Sequence, residues 1–304
     1  MNDSSTPLLR IDDTLCRRCG DCEAVCPNRV FVRGDAEVVL RRAGRCIECG
    51  HCVAVCPTEA FHHAKLPDAR FAEVPEIYPL APDALLSLFS RRRSCRRYTD
   101  EKVSTETLNA LLDAAAAAPT ATNSRNVRFL VLDTPEEISA LAEHTARYYL
   151  KLERQLNNPV VRFLISLAVG RRTVDAYKFH LPNIAEWARD CLAGKQHVFS
   201  GAPLVLAAYA SGLPHIAAAN GNLAVMQMMH QAEALGLGTC YNGYALTALM
   251  RERPLRRLLR IPAGSTPVAV LAVGHPAVRF HRAPKRRRPR AVSADSGFSK
   301  RNDA

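Results

Sequence analysis

Eight of the eleven cysteines form two copies of one motif, C-x2-C-x2-C-x3-C-P, in which a proline follows the last cysteine. The copies, thirty residues apart, are Cys16, Cys19, Cys22, Cys26-Pro27 and Cys46, Cys49, Cys52, Cys56-Pro57. This spacing is typical of [4Fe–4S] ligation, in which three cysteines of a copy bind one cluster and the fourth binds the other. The rule predicts one cluster on Cys16, Cys19, Cys22 and Cys56, and a second on Cys46, Cys49, Cys52 and Cys26.

Cysteine pairs at this spacing also bind zinc, which is the alternative interpretation of the motif. A tetrahedral zinc ion would not need four cysteines in each compact copy, so we favour two [4Fe–4S] clusters. Gly20 and Gly50 allow backbone N–H groups to approach the sulfurs closely. His51, His62 and His63 lie within or just after the second copy. Because the cysteines complete both clusters, we expect these histidines at the surface.

The segment that carries both copies, residues 8–64, resembles the bacterial two-cluster ferredoxins over nearly its whole length. It contains few large apolar side chains, so hydrophobic burial alone would hardly stabilise it. The clusters are therefore expected to act as its core. The resemblance implies a module that transfers single electrons.

Two basic stretches have the composition of a phosphate site. They are Arg92-Arg93-Ser94-Cys95-Arg96 and Pro284-Lys285-Arg286-Arg287-Arg288-Pro289. Guanidinium groups bind a phosphate dianion well because they offer paired, charge-assisted donors. Taken alone, the first stretch is better explained as a solvated basic surface, and the second is equally compatible with a flexible tail.

Two loops combine small and polar residues. Ala118-Pro119-Thr120-Ala121-Thr122-Asn123-Ser124 ends an alanine-rich stretch, and Leu235-Gly236-Leu237-Gly238-Thr239-Cys240-Tyr241-Asn242-Gly243-Tyr244 follows a helical stretch. Glycines in the second loop would let backbone groups approach a bound molecule closely. Each loop on its own is also an ordinary way to end a helix.

The four segments in this order resemble the nitroreductase family of FMN enzymes, over about residues 84–290. The resemblance implies FMN, a homodimer with the flavin at its interface, and a loop that reaches the neighbouring subunit's flavin. One departure is Asn126-Val127, where the family usually has Pro-Trp. The implied FMN residues are Arg92, Arg93, Ser94 and Arg96, the loop residues Thr120 and Asn123, the ring contacts Tyr241, Asn242 and Gly243, and the C-terminal Lys285 and Arg287.

The elements that must position these residues suggest an α+β chain. We predict a small ferredoxin-like domain with two clusters (1–66), a proline-rich linker (67–83), a nitroreductase-like FMN-binding domain (84–290) and a disordered tail (291–304). Residues 127–132, 203–208 and 267–273 are predicted strands of a central mixed sheet packed by helices. Ser104 and Thr134 are expected helix caps, as is Asp83. Residues 135–195 form a long helical insertion, and another helix is predicted from about Leu223 to Leu235.

Composition limits the setting and the partners. The 304 residues carry a net charge of +12, which suits phosphate ligands, an acidic protein partner or nucleic acid. Nucleic acid is the less favoured partner, because the basic residues concentrate in two stretches without interleaved aromatic residues. No export signal or apolar segment of membrane-spanning length is evident, so we expect a soluble, cytoplasmic protein without a membrane partner.

These features predict an oxidoreductase in which electrons from a redox protein enter through the clusters, collect on FMN and reduce an organic small molecule. The acceptor would be a nitroaromatic, a quinone or an activated alkene. Two alternatives stay open: an NAD(P)H-driven nitroreductase that uses the ferredoxin module as an outlet, and a nucleic-acid-binding iron–sulfur protein. The remaining cysteines, Cys95, Cys191 and Cys240, are expected to be small buried side chains, and no catalytic residue is assigned.

Overall fold

The computed structural model describes residues 8–34, 38–67, 71, 81–195, 198–283 and 287–291. Most of the predicted linker and of the predicted tail lies outside these residues, and so does Lys285.

The N-terminal module contains two copies of one small unit, and each copy carries one copy of the cysteine motif. Its elements are β1 (Leu9–Ile11), α1 (Asp21–Ala24), β2 (Phe31–Arg33), β3 (Val38–Leu40), α2 (His51–Ala54) and β4 (Phe61–His63). β1 pairs with β4 and β2 with β3, both antiparallel. Gly20 and Gly50 precede the two short helices with φ of 85° and 74°, a conformation that favours glycine. Between the two units, Phe31 and Phe61 pack edge to face with centroids 5.1 Å apart.

The second domain is built on four strands and eight helices in the described part of the chain. In order they are α3 (Pro82–Arg91), α4 (Thr105–Ala116), β5 (Val127–Leu132), α5 (Pro135–Asn157), α6 (Pro159–Val169), α7 (Arg171–Leu192), β6 (Leu204–Ala210), α8 (Pro214–Ala234), β7 (Gly238–Tyr241), α9 (Gly243–Arg251), α10 (Arg253–Leu258) and β8 (Thr266–Gly274). The predicted helical insertion is confirmed as α5, α6 and α7.

The four strands form one sheet in the order β5-β6-β8-β7. All three strand pairs are antiparallel, and a parallel bridge from Ser94 to Thr239 adds the parallel component at the β7 edge. One face packs on α4 and α8 and the other on α5 and α9. β6 and β8 are buried on both faces, which explains their uninterrupted apolar sequences. The predicted α+β class is confirmed.

Local signals fix most helix boundaries. Ser104 accepts a hydrogen bond from the Thr107 N–H, and Thr134 accepts one from the Glu137 N–H, so both predicted caps are confirmed. Asp83 is not a cap: α3 starts two residues earlier than such a cap implies, at Pro82 with Ala81 as its N-cap, because the missing N–H of a proline costs nothing in the first helical turn.

α8 extends much further toward its N-terminus than the sequence predicts. It begins at Pro214 rather than near Leu223. Gly221 weakens the helical signal there, since glycine has a low helix propensity. In the structure this glycine faces Val268, where a Cβ would lie 2.2 Å from Val268 Cγ2. Packing of α8 against β8 therefore outweighs propensity.

None of the helices in the described ranges combines the length and the apolar composition that crossing a bilayer requires.

Candidate iron–sulfur centres and flavin site

Two cavities in the N-terminal module are each lined by four cysteines of the motif. One is lined by Cys16, Cys19, Cys22 and Cys56. The other is lined by Cys46, Cys49, Cys52 and Cys26. Each cavity thus receives three cysteines from one copy and the fourth from the other, which is the predicted grouping. The four cysteines of each set line a space. Among the described residues, no group of three or more His, Cys, Asp or Glu side chains is placed to hold a single metal ion.

The donor set of both cavities suits an iron–sulfur cluster. Burial raises the pKa of Cys22 and of Cys52 to about 11, and a bound metal would hold these sulfurs as thiolates at neutral pH. The fourth cysteine of each copy accepts a backbone hydrogen bond: Val30 N–H donates to Cys26 Sγ and Ala60 N–H to Cys56 Sγ, each at 3.3 Å. Such bonds stabilise cluster sulfurs and tune the reduction potential.

His63 makes the second cavity different from the first. Its Nε2 lies 3.6 Å from Cys46 Sγ, and its Nδ1 accepts the Lys65 N–H at 3.1 Å. Since Nδ1 is an acceptor, the ring proton of the neutral imidazole resides on Nε2 and points at the sulfur. Burial lowers the pKa of His63, which favours that neutral form. The surface position expected for His63 is wrong, because the residue is only 4% exposed.

A cavity of about 660 Å³ lies in the second domain at the end of α8. It is lined by Arg91 at the end of α3, by Arg93 just after that helix, by residues 236–238, and by residues 276–283 beyond β8. Within the described part of the chain, Arg93 Nε is buried without a hydrogen-bond partner, while Arg93 Nη2 donates to the Ser90 carbonyl at 3.0 Å. A buried, unpaired guanidinium N–H is costly, and a phosphate oxygen would satisfy it. Glu233 also lines the cavity, where its Oε1 pairs with Arg91 Nε at 3.5 Å, while Arg279 and Arg282 add further positive charge to the lining. With four arginines against one carboxylate, the residues present fit a phosphate.

The β7 edge positions Arg93. Cys95 N–H donates to the Thr239 carbonyl at 2.9 Å, which fixes the chain just after Arg93. A Cβ on Gly238 would lie 2.7 Å from Cys95 Sγ, so only glycine allows this close approach. Gly236, with φ of 77°, ends α8 and turns the chain into the cavity wall.

Asn220 organises the loop that contains Thr120 and Asn123. This buried side chain of α8 accepts the Ala121 N–H at 3.0 Å and donates to Ser124 Oγ at 3.1 Å and Asn126 Oδ1 at 3.0 Å. Its burial and full pairing hold the loop in one conformation. Thr120 contributes within the loop, where its Oγ1 accepts the Arg125 N–H at 3.0 Å.

Asn123 joins the two modules. Its Nδ2 donates to the carbonyls of Ile47 at 3.2 Å and Glu48 at 3.0 Å. Both carbonyls lie between Cys46 and Cys49, two of the residues that line the second cysteine cavity. The loop predicted to contact FMN therefore holds the iron–sulfur module.

The predicted ring contacts make internal hydrogen bonds. Tyr241 OH donates to the Val268 carbonyl at 2.8 Å. Asn242 caps α9 by accepting the Ala245 N–H at 2.9 Å, and its Nδ2 donates to the Val198 carbonyl at 3.0 Å. Gly243 begins α9, and a Cβ there would meet no atom within 4 Å. Flavin contacts of these residues stay predictions.

The other predicted phosphate residues that the structure describes do not line this cavity. Arg92 and Ser94, which flank Arg93 in sequence, are half-buried, and Arg96 is exposed. Arg287 is exposed as well.

Two features of the site escaped sequence reasoning. The first is that Arg91 and residues 276–283 line the cavity. Arg91 was missed because the family motif in the basic run starts at Arg92, and residues 276–283 were missed because they carry no recognisable motif. Asn220 was detectable in principle, because an asparagine within an otherwise apolar helical stretch needs partners when it is buried.

Comparison with known proteins gives a family. A family model described as "Nitroreductase family" matches residues 89–275. The chain belongs to the nitroreductase family. A second model, "4Fe-4S dicluster domain", matches residues 15–61 of this nitroreductase. The two resemblances inferred from the sequence are thereby confirmed, and the chain is an oxidoreductase with an iron–sulfur domain at its N-terminal side.

Curated relatives are distant. The chain is 26% identical over 201 residues to the "FMN reductase [NAD(P)H]" of Bacillus subtilis (strain 168), covering 64% of this chain and 66% of that protein. It is 26% identical over 195 residues to a "Putative NADH dehydrogenase/NAD(P)H nitroreductase" of Methanothermobacter thermautotrophicus, covering 64% of this chain and 78% of that protein. The chain thus spans about two thirds of the length of the Bacillus protein.

Solved structures share the fold. A nitroreductase with bound FMN from Bacteroides fragilis has a TM-score of 0.51 and 18% identity, covering 69% of this chain and 98% of that chain. An FMN-dependent nitroreductase from Clostridium difficile R20291 has a TM-score of 0.50 and 19% identity, with the same two coverages. At these identities the likeness concerns the fold alone.

Proposed function

We propose that this chain is an FMN-dependent oxidoreductase that receives electrons through two [4Fe–4S] clusters and reduces an organic acceptor. The observation that carries the proposal is the hydrogen-bonded contact of Asn123 with the loop between Cys46 and Cys49. It holds one cysteine cavity against the nitroreductase domain. Two reduced donor proteins would each supply one electron, and the acceptor would take both electrons together with protons from solvent.

FMN is supported by the cavity at the end of α8. Arg93 has a buried N–H in need of an acceptor, and the volume of about 660 Å³ suits a cofactor. When bound, FMN supplies chemistry that combines single-electron and two-electron transfer. The chain itself would supply the phosphate site at Arg93, with Arg92, Ser94 and Arg96 close to it in sequence.

The acceptor class that we propose comprises nitroaromatics, quinones and activated alkenes. These molecules share an electron-poor π-system that accepts a hydride equivalent. The two cysteine sets, Cys16, Cys19, Cys22, Cys56 and Cys46, Cys49, Cys52, Cys26, are proposed as the cluster ligands.

A second candidate is a nitroreductase that NAD(P)H reduces directly, with the iron–sulfur module as the electron outlet. The names of both curated relatives include NAD(P)H and favour this candidate. The two candidates differ in the direction of electron flow between the modules.

A Cys49→Ser variant separates the two candidates. If the clusters feed the flavin, the variant keeps FMN but loses turnover driven by a reduced ferredoxin, since its cluster is damaged. Steady-state turnover is measured with reduced ferredoxin and with NAD(P)H, and Cys191→Ser serves as control because Cys191 lies outside both cysteine cavities. NAD(P)H-driven turnover equal to that of the unmodified protein, with none from one-electron donors in either, would overturn the cluster-fed proposal.

We also propose a homodimer, in line with the family resemblance. α8 carries apolar residues on all sides, a pattern typical of a helix covered all round. In the single chain its Leu223 and Met226 are 48% and 46% exposed. A second copy packed on this face would cover both, and two-fold dimers are the commonest symmetric assembly.

A further inference from the structure

We infer that the two clusters act in a fixed order: the Cys16 set receives electrons at a basic surface formed by Arg17 and Arg18, and the Cys46 set passes them to the nitroreductase domain. The partner that fits the basic surface is a small, acidic, one-electron redox protein. The inference rests on the proposed function and adds the entry point and the chemistry of the donor.

The internal repeat carries the first step. Arg17 and Arg18 lie between Cys16 and Cys19, at the positions that Ile47 and Glu48 occupy between Cys46 and Cys49. The backbone conformation repeats as well, since Arg18 and Glu48 have φ of 59° and 54°. The two loops are therefore equivalent surfaces over equivalent cavities.

The second loop, between Cys46 and Cys49, contacts the nitroreductase domain. Its carbonyls at Ile47 and Glu48 accept hydrogen bonds from Asn123 of the nitroreductase domain. Glu48 also pairs with Lys65, and that hydrogen bond lowers the pKa of its carboxyl group. This loop is the side of the module from which electrons reach the second domain.

The first loop faces solvent. Arg17, Arg18 and Cys19 are exposed, and the neighbouring Leu15 is 46% exposed. Cys19, an exposed proposed cluster ligand that directly follows the two cations, offers a short path to a donor docked on this loop. Opposite charges also steer encounter, so an acidic donor would associate fastest here.

The first test reverses the charge of this loop in the holoprotein. An Arg17→Glu/Arg18→Glu variant should lose at least tenfold in kcat/KM for a reduced ferredoxin of net negative charge, and its rate should no longer fall with added salt. Iron content and reduction by dithionite should stay unchanged. Arg41→Glu/Arg42→Glu is the matched control, because it makes the same charge change at exposed positions of the same module.

Three outcomes decide the inference. A loss confined to the Arg17/Arg18 variant supports it. Equal losses in both variants overturn it, because the effect would then come from net charge alone. If no one-electron donor reduces even the unmodified protein, the proposed function fails and the inference fails with it. If both variants retain full donor-driven turnover, only the proposed order of the clusters is overturned.

The second test addresses the exit side. Asn123→Ala should slow electron transfer from the reduced clusters to the flavin, which stopped-flow absorbance resolves from the faster reduction of the clusters by the donor. Flavin content is measured in parallel, so that lost FMN is not mistaken for slow transfer. Thr122→Ala is the control, since its hydroxyl bonds only to the adjacent Ala121 carbonyl in the described structure. Unchanged transfer in Asn123→Ala at full flavin content overturns the assignment of the exit.

Discussion

Arg93 illustrates how much of this site depends on single polar atoms. One of its guanidinium nitrogens bonds to the Ser90 carbonyl, and another is buried without a partner in the described structure. Because one nitrogen already bonds within the protein, the Arg93 side chain is held in place before a ligand binds. Less side-chain conformational entropy is then lost on binding.

We expect Arg93→Ala to weaken FMN binding by about 1.5–3 kcal/mol, the range for a hydrogen bond to a charged group. This corresponds to roughly a 10- to 150-fold rise in Kd. Quenching of flavin fluorescence during titration of the apoprotein measures the change. Arg97→Ala is the control, because Arg97 is exposed and its side chain does not line the cavity. Equal loss in both variants would show that the cavity is not the phosphate site.

His63 allows one cluster to be altered without touching a cysteine. We expect His63→Leu to lower the reduction potential of the cluster on the Cys46 set, because the N–H that points at Cys46 Sγ is removed. His63→Gln should restore part of the shift, since its amide also donates. EPR-monitored redox titration follows both clusters separately. A shift of both clusters by the same amount would contradict a local hydrogen bond.

At the scale of elements, the crossing of α8 over β8 sets the geometry of the second domain. Gly221 provides the close approach to Val268. The same helix carries Asn220, which orders the docking loop, and ends beside the phosphate cavity. Thirteen residues separate Asn220 from Glu233 at the cavity, about 20 Å along a helix.

We expect Gly221→Ala to destabilise the second domain by about 1–3 kcal/mol, the usual cost of overpacking a close contact. The gain in helix propensity, about 1 kcal/mol, opposes this cost only in part. Chemical denaturation of the holoprotein provides the measurement. Gly44→Ala is the control, because a Cβ there also meets no atom within 4 Å and Gly44 lies outside the expected FMN residues. A stabilised Gly221→Ala variant would show that α8 shifts freely on the sheet.

Elements with a strong local pattern were predictable from the sequence. The apolar runs gave β5, β6 and β8, and capping residues marked the starts of α4 and α5. β7 was not among the predicted strands, since its four residues include Gly238 and lack an alternating pattern. The contacts of Asn123 and the burial of His63 were not predictable, since they depend on packing between segments distant in sequence.

At the scale of the whole molecule, the exposed apolar face of α8 provides a direct test of assembly. We expect the unmodified holoprotein to form a dimer of about twice 33.4 kDa, and Leu223→Glu to shift it toward monomer, because a carboxylate would be buried unpaired in the interface. Light scattering measures both masses. Leu258→Glu is the control, since Leu258 is similarly exposed, at 51%, on α10. A monomeric unmodified holoprotein would refute the dimer.

The grouping of the cysteines gives a further expectation. The unmodified holoprotein should contain about eight irons and eight sulfides per chain, as two complete cubanes require. Cys56→Ser should damage the cluster on Cys16, Cys19 and Cys22, although Cys56 belongs to the other copy of the motif. EPR distinguishes the two cluster signals. Loss of the cluster on the Cys46 set instead would show that each copy binds its own cluster.

The crossed placement of Cys26 and Cys56 also bears on when clusters can be inserted. If the clusters form in these two cavities, neither copy of the motif supplies all four ligands of one cluster, and a nascent chain that has exposed only the first copy has no finished binding site. Cluster insertion must then wait until both copies have left the ribosome. The second copy of the motif therefore sets the earliest point of synthesis at which either cluster can be completed.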